Sequence, residues 1–161
     1  MSKIVIIAKT YLGQEEIPPN KSFKDENFLN EIKSVGWYIG APWCLFFCRL
    51  VWKKSNQDIT RISASSMVTM EQATKDKNWH IEPKIGAIAI FRMFKNGKPT
   101  NQGHGCIVSE LTEKGYNTID GNTSEKNGRE GIMVAERFRT LNKDSWTKKD
   151  GLRLMGFVYP K

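Results

Sequence analysis

The 161 residues carry 25 Lys and Arg against 17 Asp and Glu, a net charge of +8. That length suits one domain with a core of its own, and the lack of an apolar run of about 18 residues excludes a membrane-crossing helix. The positive excess bears on partners and not on fold: it suits nucleic acid, an anionic membrane surface or an acidic polymer.

The chain opens Met1-Ser2-Lys3-Ile4-Val5-Ile6-Ile7-Ala8-Lys9. Its apolar stretch is cut at Lys9 with no cleavage site, so it reads as a first helix and not an export signal. The expectation is synthesis in the cytosol and, for work elsewhere, delivery by another route. Ile4, Ile7, Ala8, Tyr11 and Leu12 fall at helical spacing over residues 3–12, and Gly13 ends the run. Residues 16–23, with Pro18-Pro19-Asn20, read as an irregular loop. Asp25 then caps a short helix that buries Phe28, Leu29 and Ile32 and stops near Gly36.

Gly40-Ala41-Pro42-Trp43-Cys44 leads into the most apolar run of the chain, Leu45-Phe46-Phe47-Cys48-Arg49-Leu50-Val51-Trp52. Proline is tolerated in the opening turn of a helix, which puts Cys44 in that turn of a helix running to about residue 54. A thiol there meets unsatisfied backbone N–H groups and the positive end of the helix dipole, both of which favour the nucleophilic thiolate. The plainer alternative is a small buried core residue. Ser65 or Ser66 caps a further helix through Met67, Met70 and Ala73.

Beyond residue 84 the pattern changes to strands. Residues 85–91 form a run suited to burial on both faces, and 92–103 read as a polar loop with a turn at Asn96-Gly97. Strands follow over 104–111 and 116–121, then a Gly-, Asn- and Ser-rich loop over 121–131, then strands over 132–138 and 152–159. Helices first and antiparallel strands second make an α+β chain, with no repeat or linker to divide residues 1–161.

The three cysteines at 44, 48 and 106 have no zinc spacing, so reduced thiols and no metal are expected. Basic residues are scattered (Lys53-Lys54, 95–98, Arg137 and Arg139, Lys148-Lys149) as a generally cationic surface, without a base-reading motif. No nucleic-acid partner is therefore expected. Of the two histidines, His80 precedes Pro83 with no polar partner in register and reads as surface or structural. His104 opens a strand between Gly103 and Gly105, which leave its ring room and allow another segment close approach. If 113–115 is a three-residue hairpin loop, Cys106 faces Asn122, Val108 faces Asp120, and His104, Asp120 and Asn122 share one face. A two-residue loop reverses that parity. With the favourable parity, Cys44 is a nucleophile, His104 its base, and Asp120 or Asn122 the group that fixes the second ring nitrogen. The N–H of Cys44 is then half of an oxyanion hole. The competing reading of Asp120-Gly121-Asn122 is a turn.

Pro42-Trp43-Cys44 with Phe47 resembles the nucleophile helix of CHAP domains, the cysteine, histidine-dependent amidohydrolase/peptidases. Pro83-Lys84-Ile85-Gly86 before a strand, Gly103-His104-Gly105-Cys106-Ile107-Val108, and Asp120-Gly121-Asn122 follow in the family's order, over roughly residues 3–159. The resemblance implies a papain-like α+β fold with the helices packed on a C-terminal antiparallel sheet. It also implies a peptidoglycan substrate cut at an amide bond, either muramoyl–L-alanine or within the stem or bridge. Cys44 is the implied nucleophile, His104 the base, Asp120 its orienter and Asn122 a helper, without a cofactor.

Many members have Gly-Asp where this chain has Gly86-Ala87, and a small residue after the nucleophile where it has Leu45 and Phe46. Calcium-binding members have an N-terminal acidic cluster that Asp25 and Glu26 alone do not reproduce. No signal peptide or separate wall-binding domain is read, which suits phage-, holin- or secretion-system-mediated delivery, and a monomer is the plain expectation. The alternative is a catalytically silent module of the same fold that binds wall or protein.

Overall fold

In the computed structural model, which describes residues 2–123 and 131–161, four helices precede the main sheet. Helix α1 (Lys3–Lys9) buries Ile4, Val5 and Ala8 and stops short of the expected residue 12. The Gly13 N–H already donates to the Val134 carbonyl at 2.9 Å, so the chain leaves the helix to dock on a strand. The stretch read as an irregular loop instead forms a small ribbon, β1 (Glu16–Ile17) paired with β2 (Ser22–Phe23).

Asp25 caps α2 (Glu26–Lys33) as expected, its Oδ1 accepting the Phe28 N–H at 2.9 Å. Phe28 and Ile32 are buried, with Leu29 packed partly against them. Helix α3 (Cys44–Lys54) is buried almost all round, as a helix apolar on every face must be. It begins two residues later than Pro42 suggested: Trp43 is its N-cap and Cys44 its first residue.

Ser65 caps α4 (Ser66–Lys75), its hydroxyl accepting the Val68 N–H at 3.3 Å. The face of α4 that turns inward carries Ser66, Thr69 and Ala73, while Met67 and Met70 are only partly covered. Thr69 is tied down by its hydroxyl, which accepts the Ser63 N–H at 3.0 Å and donates to the Ser65 carbonyl at 2.9 Å.

The six-stranded antiparallel sheet comprises β3 (Trp79–His80), β4 (Ile88–Lys95), β5 (Lys98–Thr112), β6 (Gly115–Thr123), β7 (Met133–Thr140) and β8 (Gly151–Val158), in spatial order β3-β8-β4-β5-β6-β7. The four-residue α5 (Asp144–Thr147) precedes β8. Residues 92–103 are not a loop. Strands β4 and β5 continue beyond the core and turn at Asn96-Gly97, with Arg92↔Gly103 and Lys95↔Lys98 in register. The ladder satisfies the backbone whatever the polarity of the side chains, which is why polarity misled. Much of the expected loop over 121–131 lies outside the described residues.

Both faces of the central strands are covered. Ile88, Ile90, Ile107 and Ile119 join the helices in the larger core, while Ala89, Phe91, Cys106, Val108, Tyr116 and Phe157 form a second. The architecture is thus α+β with a large antiparallel sheet, as the order of helical and strand patterns implied.

Candidate active site

The β5–β6 hairpin decides which side chains meet. Its loop has two residues, Glu113 and Lys114, since Thr112 pairs with Gly115 and Leu111 with Tyr116. The three-residue loop is therefore wrong, and that shorter turn alone would send His104 and Asp120 to opposite faces. A bulge restores them. The register shifts between Val108 and Glu110, so that Val108 pairs with Thr118 and Ile107 with Ile119. One extra residue in β5 reverses the alternation a second time. The outcome is that acceptor or donor atoms of His104, Cys106 and Asp120 lie within 4.8 Å of one another.

The ladder between β5 and β6 goes no further than Ile107↔Ile119. Beyond that point the start of α3 meets both strands. A Cβ on Gly105 would stand 2.4 Å from Leu45 Cδ2, and one on Gly121 2.7 Å from Phe47 Cβ, so only glycine admits the helix this close. Cys44 there lies beside the His104 side chain and the Gly105 backbone, near enough for both to favour its thiolate.

His104 Nε2 donates to Asp120 Oδ2 at 2.7 Å, which leaves Nδ1 as the ring nitrogen for the thiol. His104 is 5 % exposed and Asp120 0 %, so this contact is made out of water. Burial pushes the Cys44 thiol up, but hydrogen bonding and charge from His104, with the Gly105 and Leu45 N–H groups, bring it below the usual value. For His104, burial acts downward and is outweighed by Asp120 and Cys44, which raise it to about 9. Both shifts favour a thiolate–imidazolium pair. Cys48 and Cys106 are pushed well up by burial and stay thiols.

Two residues that complete this cluster escaped the sequence reading. Thr118 donates its hydroxyl to Asp120 Oδ1 at 2.5 Å. Arg139, counted above among surface charges, is directed inward: its Nη2 donates to Asp120 Oδ2, and its guanidinium lies 4.9 Å from the centroid of Phe91. Burial penalises the Asp120 charge, yet Arg139, His104 and Thr118 together hold the carboxyl well below the usual range. The signal for Thr118 was its place two residues before Asp120 on the same strand. Arg139 needed the pairing of β6 with β7, which the sequence does not display.

Cys44 and His104 open onto a cleft of about 670 Å³, also lined by Glu16, Pro42, Leu45, Ser66, Gln102 and Asn122. Asn122 therefore stands at the cleft wall, with φ at +55°, while Asp120 holds the histidine. Glu16, buried in a chain rich in cations, accepts the Trp43 indole N–H at 2.6 Å and so fixes the N-cap of α3. The other histidine, His80, does have a polar partner: its Nε2 lies 3.1 Å from Asn78 Oδ1, and its ring stacks on Tyr159 at 3.7 Å.

His104, Cys106 and Asp120 are a possible donor set for a metal ion, but the carboxylate already carries a guanidinium that a cation would have to displace. Comparison with protein-family models, with curated proteins and with solved structures gave no match to this chain.

Proposed function

We propose that the chain is a cysteine-dependent hydrolase of the CHAP type, with a papain-like arrangement of helix and sheet, that cleaves an amide bond of peptidoglycan. The observation that carries the chemistry is the contact of Cys44 with His104, itself held by Asp120, at the edge of an open cleft. A thiol at a helix start, a histidine and a buried carboxylate are the parts of nucleophilic acyl transfer. The substrate class rests on the order of the sequence motifs.

In this reading the Cys44 thiolate attacks the carbonyl carbon, and the carbonyl electrons move to oxygen. First-turn N–H groups of α3, that of Cys44 foremost, stabilise the oxyanion. The imidazolium of His104 gives its Nδ1 proton to the departing amine as the C–N bond breaks, leaving a thioester on Cys44. Neutral His104 then takes a proton from water, whose oxygen attacks the thioester. The carboxylic acid leaves and the thiolate–imidazolium pair is restored. Asp120 keeps the ring oriented throughout and stabilises its charge.

Cys44→Ala and His104→Ala are expected to abolish release of soluble fragments from purified cell walls, with the thermal unfolding transition retained. Wild-type clearing rates in either folded variant would overturn the proposal. Iodoacetamide separates this enzyme from a silent module of the same fold. An activated Cys44 labels fast near neutral pH and loses that rate in His104→Ala, whereas in a silent module Cys44, open to the cleft all the same, labels alike with and without His104. Mass spectrometry of the fragments then names the bond, a new N-terminal alanine marking an amidase and a cut within the stem an endopeptidase.

A further inference from the structure

We propose that Arg139 is a positioning residue of this site, which sets the pH range of the Cys44–His104 pair by sharing the charge of Asp120. The inference rests on the cysteine-hydrolase reading above and adds to it a residue from β7, outside the motif order that suggested that reading.

The geometry is specific. The side chain of Arg139 is 17 % exposed, and its Nη2 donates to the same oxygen, Asp120 Oδ2, that accepts from His104. Its Nε reaches Thr118 Oγ1 at 3.4 Å, and Thr118 in turn donates to Asp120 Oδ1. Phe91 packs on both partners, with the guanidinium 4.9 Å from its ring and the His104 ring centroid at 6.4 Å. A cation is thus fixed on the carboxylate oxygen that also holds the histidine.

Among the described residues, the ionisable groups around Asp120 and its partners are Cys44 and Cys48 on α3, His104 and Cys106 on β5, Tyr116 on β6 and Arg139 on β7, with Lys148 acting on Arg139 from beyond α5. Burial pushes Cys48, Cys106 and Tyr116 up, so they stay neutral where Cys44 and His104 titrate. Without Arg139 the buried carboxylate would act on His104 undiminished. The imidazolium would then hold its proton more tightly, and the thiol would ionise at higher pH. Both changes impair catalysis at neutral pH, because the leaving amine needs a willing acid and the attack needs a thiolate.

The test is the pH dependence of Cys44 alkylation by iodoacetamide, read by peptide mass spectrometry, which needs no wall substrate. In Arg139→Gln both inflections of the profile are expected to move upward by roughly half a unit or more. Arg139→Lys, which keeps the charge, should return them most of the way. Thr118→Val, which removes the hydroxyl bonded to Asp120 and near Arg139, should shift them in the same direction and serves if Arg139→Gln does not fold. A folded Arg139→Gln protein with an unmoved profile overturns the inference, since a merely structural arginine would lower the unfolding temperature and leave the inflections in place. An unmoved profile in Thr118→Val, where only that variant folds, overturns it equally. Fast labelling of Cys44 with the expected shifts but no wall cleavage would sink the peptidoglycan reading and leave this one standing.

Discussion

Asp120 is the residue on which the others turn, because one buried carboxylate serves His104, Thr118 and Arg139 together. With Asp120→Asn the ring keeps a hydrogen-bond acceptor but loses the charge that stabilises imidazolium. Turnover is expected to fall by about a hundredfold or more. The alkaline limb of the pH–rate profile, set by the His104 value of about 9, should move downward. A second consequence is in stability. The folded Asp120 carboxyl lies below its ordinary 3.8, so its ion pairs stabilise the fold above that value and are lost as pH falls toward and through the folded one. Urea unfolding from about pH 5 to about pH 2 should therefore weaken wild type more steeply than Asp120→Asn. Equal slopes would mean that the carboxylate is not held by its neighbours.

Helix α3 and strand β5 fit because bulk on one meets glycine on the other. Leu45, large for a position beside the proposed nucleophile, is 1 % exposed and lies over Gly105. Gly105→Ala should cost about 1–3 kcal/mol through overpacking and slow Cys44 alkylation by displacing the helix start. Leu45→Ala in the same chain should recover much of the labelling rate, since the clash is with a side-chain end. No recovery would place the fault in the backbone. That pairing shows what a sequence can reveal. The flanking glycines of His104 announced close approach, and caps at Asp25 and Ser65 announced helix starts, because each rests on local chemistry. Loop length and the bulge near Ser109 were not legible, since both depend on how two strands settle against the core. The shared face of His104 and Asp120 came out as expected only because two departures from the assumed register cancelled. The inward Arg139 was hidden for the same reason, its partner being set by strand pairing and not by neighbours in the chain.

At the scale of the molecule, charge and cleft are distributed in opposite ways. The chain carries a net charge of +8, yet among the described residues that line the cleft there is one carboxylate, Glu16, and no Lys or Arg. Described lysines such as Lys53, Lys95, Lys98 and Lys149 stand instead on exposed positions away from that lining. Under the proposed activity, long-range attraction to an anionic polymer and short-range recognition of the reacting segment would be separate functions of separate surfaces. Salt acts on the first and spares the second, because exposed charges are screened over about 8 Å at physiological ionic strength and over about 3 Å at 1 M. Under the proposed activity, raising salt toward about 1 M should lower the rate on intact walls several-fold. Hydrolysis of a short, soluble muropeptide that fits within the cleft should hardly change. Reversing two of the exposed lysines to glutamate should reproduce the salt effect on walls at low ionic strength, again with the soluble substrate unaffected. If instead salt slows both substrates alike, the charge acts inside the cleft, and the division between a docking surface and a cutting site is wrong.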